Sequence, residues 1–206
     1  MTPTKREGDG AAGSAEAMTG TAAIQGFEQA VTDEAAAKSW RSVSDRKIRV
    51  GIAGYGVCGF GAAFHFQDHP NVTVAAVADL DPDKCAELAK KCRCETMYPS
   101  CEDLIADDSL EAIFVATDAP SHARLAIASL NAGKHVASAV PAVFGSLEDA
   151  DLLFDAVKAS DRKYMMFETS YFHNDLYCMR EMYRAGDLGK VIYSEGEYWH
   201  YFGTPL

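Results

Sequence analysis

Residues 54–59 read Gly-Tyr-Gly-Val-Cys-Gly and stand between the apolar segment Ile48–Ala53 and a helical pattern that runs through Ala62, Ala63 and Phe66. In such a motif the first glycine permits a tight turn, the second lets backbone approach a pyrophosphate, and the third lets helix and strand pack closely. Backbone amides at the start of the helix then face the anion. The residues predicted to bind a dinucleotide diphosphate are therefore Gly54, Tyr55, Gly56, Val57, Cys58 and Gly59.

A carboxylate follows at the distance that such a site requires. Asp79 ends the next predicted strand about 20 residues after the last glycine, where it can accept hydrogen bonds from both hydroxyls of an adenosine ribose. It would repel a 2′-phosphate, and the next residue is Leu80 rather than an arginine that could bind one. We therefore expect NAD rather than NADP, with Asp79 and Leu80 beside the ribose. A purely local role for Asp79, as the cap of a helix or turn, stays open.

The elements that must position these residues alternate between short apolar runs and amphipathic segments, which is typical of β-α-β units. Helix starts are marked by Asp81-Pro82, by Ser100 with Asp103, and by Ser146 with Asp149. A further helix opens at Ser121 and can end at Gly133. The predicted strands are Ile48–Ala53, Val72–Ala78, Ile113–Thr117, His135–Ala137 and Tyr164–Phe167, with a weaker one at Thr96–Tyr98. The sequence thus predicts an α/β fold with a doubly wound parallel sheet of the Rossmann type.

The same pattern divides the chain into three segments. Residues 1–46 are rich in Ala, Gly, Thr, Ser and Glu and are expected to form a mobile extension, and residues 47–168 form the nucleotide-binding domain. Residues 169–206 contain a predicted helix at about Asn174 to Ala185 and a long predicted strand, Val191–Tyr201. The chain stops soon after that strand, so we expect the start of a truncated second α/β domain with an open sheet. The residues expected to pack that helix into a core are Leu176, Met179, Met182 and Tyr183.

Composition excludes several classes of protein. The formal charge of −11 argues against a nucleic-acid surface, which needs clustered lysine and arginine. No apolar run approaches the roughly 20 residues of a membrane-spanning helix. Six cysteines without a secretory signal favour reduced thiols in a cytoplasmic protein.

Two groups of residues could suggest a metal site, and neither fits one. Cys85, Cys92, Cys94 and Cys101 lack the C-x2-C spacing of structural zinc sites, which favours ordinary buried or edge thiols. Glu195 and Glu197 would lie on one face of the predicted strand and His200 on the other. No metal is predicted.

The chain from about Lys47 to His200 resembles the Gfo/Idh/MocA family of oxidoreductases. The resemblance rests on the segments KIRVGIAGYGVCG, VAAVADLDPDK, YPSCEDLIADDSLEAIFVATDAPSHARLAIASLNAGKHV and AGDLGKVIYSEGEY, in that order and spacing. It implies an N-terminal Rossmann domain that binds NAD and a C-terminal α/β domain whose open sheet holds a small sugar-like substrate. In the family that second domain often mediates assembly, so a homo-oligomer is implied for the complete protein.

By position, the resemblance implies that Thr117, Asp118 and Ala119 line the nicotinamide ribose. His122 matches a family histidine that would act through its neighbours, although a capping or packing role fits it equally well. The family usually has Glu-Lys-Pro where this chain has Ala139-Val140-Pro141, and the lysine normally orients a substrate hydroxyl beside the nicotinamide. Valine cannot do so, whereas Pro141 can keep an unusual and even cis peptide bond.

Another group must then take the hydroxyl proton during hydride transfer. The titratable candidates are Glu168, Tyr171, His173 and His200, of which Tyr171 and His173 rank highest because they follow the sixth predicted strand at the ligand-binding edge of the sheet. Tyr171 could instead be a buried aromatic side chain, and His173 a neighbour of a helix cap.

Three functional classes remain open. The resemblance favours an NAD-dependent enzyme that oxidises a hydroxylated carbon of a sugar, cyclitol or related polyol. An NAD-dependent glycoside-cleaving enzyme, in which oxidation of the sugar is transient, is the second class. The third is a non-catalytic NAD-binding sensor, which Val140 in place of the lysine would favour.

Overall fold

A six-stranded parallel sheet forms the centre of the computed structural model, which describes residues 40–56, 59–197 and 199. The strand order is β3-β2-β1-β4-β5-β6, which is the order of the Rossmann fold. The predicted fold class is therefore confirmed. The strands are β1 (Ile48–Ala53), β2 (Val72–Ala78), β3 (Met97–Tyr98), β4 (Ala112–Val115), β5 (His135–Ser138) and β6 (Tyr164–Met166).

Helices cover both faces of this sheet, because each central strand carries apolar side chains on both sides. The helices are α1 (Phe60–Ala63), α2 (Pro82–Cys92), α3 (Cys101–Ile105), α4 (His122–Asn131), α5 (Leu147–Ala159) and α6 (Asn174–Ala185). Buried residues of α3, α4 and α5 form one core with the sheet, and buried residues of α1 and α2 form a second core on the opposite face.

Helix starts follow the predicted caps. The Asp81 carboxylate accepts hydrogen bonds from the amides of Asp83 and Lys84 at the start of α2. Ser100 and Ser146 accept bonds from the amides three residues on, at 3.1 and 3.0 Å, and so begin α3 and α5. Local side-chain chemistry thus fixes where these helices begin.

The helix after the glycine turn is shorter than predicted. Helix α1 ends at Ala63, His65 takes a left-handed conformation with φ of 50°, and Phe66 belongs to a separate 3₁₀ turn. The break lets the rings of Phe64 and Phe66 pack against Phe114 and Phe167, with centroids 5.1 to 5.8 Å apart. Aromatic packing on the sheet outweighs continuation of the helix here.

The C-terminal segment departs from prediction in two ways. Helix α6 has the predicted bounds and ends at Gly186 with φ of 83°, but Leu176, Met179, Met182 and Tyr183 are exposed rather than packed into a core. The predicted strand does not form in residues 191–197, which are irregular. No other described strand lies alongside to supply the hydrogen bonds that a strand needs. Tyr198, His200 and Tyr201 lie outside the described residues.

The last residues of the segment expected to be a mobile extension hydrogen-bond to Asn71, just before β2. Asn71 is 6% exposed; its amide group donates to the carbonyls of Ser44 and Arg46 at 2.6 and 2.7 Å and accepts from the amide of Val43 at 2.9 Å. Residues 1–39 lie outside the described residues. Within the described chain, none of the helices combines the length and the apolar character needed to cross a bilayer.

Candidate functional site

A cleft of about 370 Å³ opens at the carboxyl ends of β1, β2 and β4. It lies beside the point where the strand order reverses between β1 and β4, which is where α/β sheets bind ligands. The predicted cofactor residues that line it are Gly54, Gly56, Asp79, Leu80, Thr117 and Asp118. The structure thus brings the glycine turn, the acidic residue after β2 and the segment after β4 together in one site.

Gly54 is needed for the turn that forms the floor of this cleft. Its φ is +94°, and a Cβ there would come within 2.4 Å of the carbonyl oxygen of Ala116. The Gly54 amide donates to the Ala78 carbonyl at 2.8 Å, which ties the end of β1 to the end of β2. Any side chain at this position would be strained and would separate β1 from β4.

The close contact between helix and strand belongs to a glycine outside the predicted motif. A Cβ on Gly61 would meet the carbonyl oxygen of Gly54 at 2.0 Å, whereas the atoms nearest to a Cβ on Gly59 would be side-chain atoms of Tyr55 and Lys91, at 3.2 to 3.3 Å. Gly59 instead precedes α1 with φ of 71°. The role predicted for Gly59 is therefore performed by Gly61. Val57 and Cys58 lie outside the described residues.

The Asp79 carboxylate is oriented by two backbone amides. One oxygen accepts from the amide of Tyr55 at 2.8 Å and the other from the amide of Asp81 at 2.9 Å. Each carboxylate oxygen can accept a further hydrogen bond. The side chain therefore has the local role that we left open and keeps acceptor capacity toward the cleft that it lines.

His122 joins the two loops beyond the cleft. Its ring is 2% exposed, with Nδ1 2.7 Å from the carbonyl oxygen of Pro141 and Nε2 3.1 Å from that of Thr117. A carbonyl only accepts, so a neutral ring can donate to one of the two and a protonated ring to both. His122 thus fixes the positions of the loops after β4 and β5 without lining the cleft. Ala119, next to Asp118, begins a 3₁₀ turn that leads into α4.

The loop after β5 carries the departure from the family pattern. Ala139 is buried and its amide donates to the Val115 carbonyl at 2.8 Å, so the loop starts from a fixed point on the sheet. The Val140–Pro141 peptide bond is cis, as the proline suggested. Val140 is 43% exposed, so an apolar side chain reaches solvent where the family usually has the lysine.

The three candidate catalytic residues lie after β6, and none of them is among the described residues that line the cleft. Phe167 donates its amide to the Ser138 carbonyl at 2.8 Å, which holds this segment beside the end of β5. Glu168 accepts from the amide of Ser170 at 2.8 Å. Tyr171 is half-exposed, with the Arg180 guanidinium carbon 4.2 Å from its ring centroid.

His173 is exposed and precedes α6, where its carbonyl accepts from the amide of Tyr177 at 2.8 Å. The structure therefore places Glu168, Tyr171 and His173 on one segment that starts beside the end of β5. His200, the fourth candidate, lies outside the described residues.

Sequence reasoning missed three charged residues of the cleft. Lys84, Glu102 and Arg124 all line it, although we expected no positive charge to be available near Asp79. These residues come from three separate helices, and only the sheet topology brings them together. The one available signal was the placement of Arg124 and Leu125 in the first turn of the helix after β4, at the edge where ligands bind.

Three of the described cysteines are ordinary buried thiols. Cys85, Cys92 and Cys101 are buried, and burial raises the pKa of both Cys92 and Cys101 to about 12. Protonated thiols of this kind are inert. No cluster of three or more potential metal ligands occurs in residues 40–56, 59–197 and 199.

Comparison with known proteins identifies one family. The model of the Gfo/Idh/MocA oxidoreductase family, described as having an NAD-binding Rossmann fold, matches residues 48–168. Among curated relatives, a glycosyl hydrolase family 109 protein of Shewanella amazonensis is 29% identical over 90% of this chain and 43% of its own length. A glycosyl hydrolase family 109 protein of Bacteroides fragilis is 28% identical over 74% of this chain and 35% of its own. The chain thus spans less than half the length of these relatives.

Solved structures show the same fold. Myo-inositol 2-dehydrogenase from Lactobacillus plantarum superposes with a TM-score of 0.65 at 23% identity, covering 71% of this chain and 44% of that one. Scyllo-inositol dehydrogenase from Lactobacillus casei, solved with NAD(H) and scyllo-inositol, gives a TM-score of 0.64 at 20% identity, covering 70% of this chain and 43% of that one.

Proposed function

Because the chain belongs to the Gfo/Idh/MocA oxidoreductase family and has its NAD-binding Rossmann fold, we propose that the protein transfers a hydride between NAD and a hydroxylated carbon of a sugar, cyclitol or related polyol. One observation carries the proposal: the glycine turn and the Asp79 carboxylate border the same cleft at the switch point of the sheet. The curated relatives that act on glycosides and the structural relatives that act on inositols support a hydroxylated substrate.

The residues present fit the cofactor. Gly54 holds the tight turn because a Cβ there would strike the Ala116 carbonyl, and Gly56, which lines the cleft without a side chain, leaves its backbone open to a diphosphate. Asp79 keeps acceptor capacity for the ribose hydroxyls while two amides hold it in place. Thr117 and Asp118 continue the cleft from this point, and we assign them, with Ala119, to the nicotinamide ribose.

When bound, NAD supplies a hydride acceptor at its nicotinamide ring. The chain must hold the substrate alcohol and remove its proton in the same geometry. We assign proton removal to Tyr171 or His173, and assign the orientation of this segment to Glu168, whose carboxylate caps the turn before Tyr171. The segment starts beside the end of β5, the strand that leads into the Val140 loop, and either group would replace the lysine that the family usually has in that loop.

A second candidate is NAD-dependent cleavage of a glycoside, in which the sugar is oxidised and reduced again within one turnover. The names of the curated relatives favour it, because the most similar ones that we report are glycosyl hydrolase family 109 proteins. This reaction leaves no net NADH, whereas oxidation of a polyol does.

One assay separates the two reactions. The full-length protein is incubated with NAD⁺ and either a panel of inositols and sugars or a panel of 4-nitrophenyl glycosides, with NADH and nitrophenolate followed together. NADH formation supports polyol oxidation, and nitrophenolate release without NADH supports glycoside cleavage. Neither product from a protein that binds NAD⁺ would contradict both and leave the non-catalytic sensor.

Variants of the same protein test the assigned residues. Tyr171→Phe and His173→Asn each remove one candidate proton acceptor, and the essential one lowers kcat by about 10²-fold or more. Tyr183→Phe is the matched control, because Tyr183 is exposed on α6 away from the turn. Unchanged kcat in both test variants would show that the proton leaves by another route.

A further inference from the structure

Charged side chains of both signs line the cleft. Lys84 and Arg124 line the same cleft as Asp79, and cations beside an adenosine ribose attract the 2′-phosphate that distinguishes NADP from NAD. Leu80 is uncharged, so it neither attracts nor repels a phosphate. Two cations and the carboxylates of Asp79, Glu102 and Asp118 therefore line one cleft, and their pairing decides how much positive charge is left for a phosphate.

Arg124 is paired within the protein. Its Nη1 donates to Glu102 Oε1 at 2.5 Å and so joins the first turn of α4 to α3. The hydrogen bond from Arg124 holds the pKa of Glu102 below its ordinary value of 4.5. Glu102 is thus a carboxylate at neutral pH, and both partners border the cleft.

We infer that the Glu102–Arg124 pair is a second determinant of cofactor choice, acting with Asp79 to exclude NADP. The inference rests on NAD binding in this cleft. Glu102 occupies donors of the Arg124 guanidinium that would otherwise bind a phosphate. A guanidinium paired at its edge can still present its flat face to the adenine ring, and Leu80 and Leu125 add apolar surface to the same cleft.

Stabilisation of the fold does not explain why the Glu102–Arg124 pair lies at the cleft. The Arg124 and Glu102 side chains are 62% and 54% exposed, and ion pairs this exposed contribute little to stability. Removing either charge should leave the fold intact. A change in cofactor affinity in these variants can therefore be attributed to the lost charge rather than to unfolding.

The test compares the affinities of NAD⁺ and NADP⁺ in four variants by calorimetry at low salt. Glu102→Gln frees Arg124 and is expected to raise the ratio of the NADP⁺ affinity to the NAD⁺ affinity about tenfold. Arg124→Gln and the double variant should show no rise in this ratio. Glu181→Gln is the matched control, because it breaks the Arg184–Glu181 pair on α6, whose side chains are 62% and 46% exposed.

Two results would overturn the inference. One is an unchanged ratio of the two affinities in Glu102→Gln, and the other is a rise in that ratio that persists in the double variant, since that rise could not come from Arg124. Either result with normal NAD⁺ binding in the unmodified protein removes only this inference. Absence of NAD⁺ binding in the unmodified, folded protein removes the cofactor assignment as well.

Discussion

Replacing Gly61 with alanine tests the geometry of the glycine turn, because two effects of opposite sign compete there. Gly61 lies in helix α1 without a positive φ, so helix propensity alone favours alanine by up to about 1 kcal/mol. The new Cβ would lie 2.0 Å from the carbonyl oxygen of Gly54, whereas ordinary contacts begin at 3.4 Å. Helix α1 must therefore move away from β1 by the difference, about 1.4 Å.

The steric effect should win. Forcing an extra carbon into a well-packed contact costs about 1–3 kcal/mol, and here the obstacle is backbone rather than a flexible side chain. We expect the free energy of unfolding to fall by about that amount, which lowers Tm by about 2–4 °C for each kcal/mol in a domain of this size. The same movement displaces the amides at the start of α1. Losing one charge-assisted hydrogen bond from these amides to the diphosphate would raise the Kd for NAD⁺ by about tenfold or more.

Urea denaturation and calorimetric titration with NAD⁺ measure the two effects. Gly133→Ala is the matched control, because it adds the same methyl group where no atom lies within 4 Å and only the positive φ of 72° is strained. It should lower stability by about 1 kcal/mol and leave the affinity for NAD⁺ unchanged. Unchanged or increased stability of Gly61→Ala would refute the close contact between α1 and β1.

Three further predictions concern groups that hold the loops and the sheet. His122→Phe removes every ring N–H that can donate to the carbonyls of Thr117 and Pro141, and should lower stability by about 1–3 kcal/mol in urea. The affinity of the variant for NAD⁺ should fall more than its affinity for ADP, and equal losses would argue against a role in placing the loops. The amide of Arg49 lowers the pKa of Glu111 from 4.5, so Glu111→Gln should be less stable by up to about 1 kcal/mol at neutral pH. The difference in free energy of unfolding between the two proteins is present above pH 4.5 and should vanish as the pH falls through the lower pKa of Glu111 in the folded state. A difference that persists in acid would show that the Glu111 charge is not its source. Burial raises the pKa of Tyr164, whose hydroxyl lies 2.8 Å from Ser138 Oγ. Tyr164→Phe should lower the free energy of unfolding by about 1 kcal/mol below pH 10. Denaturation at alkaline pH should show that the two proteins become equally stable as the pH rises.

Local signals in the sequence were sufficient for the elements that hold the cofactor. The apolar runs and caps placed β1, β2 and the starts of α2, α3 and α5, because strand burial and helix capping depend on neighbouring residues. Asp79 could be found by spacing, since one helix and one strand separate it from the turn.

The sequence was less informative wherever distant parts of the chain meet. Glu102 and Arg124 lie in different helices, and no local pattern shows that they form an ion pair. Residues 191–197 have the composition of a strand, but a strand forms only where a partner strand supplies hydrogen bonds. For the same reason the apolar face of α6 looked like a core surface, although no described element covers it.

Calorimetric titration of the folded chain with NAD⁺ tests the central claim most directly, with Asp79→Asn titrated in parallel. Saturable binding of one NAD⁺ per chain is expected, and about tenfold or more weaker binding by the variant, because the amide of asparagine removes a charged acceptor from the ribose hydroxyls. Folded protein that gives no binding signal with NAD⁺, or equal affinities in the two proteins, would contradict a dinucleotide site formed by the glycine turn and Asp79.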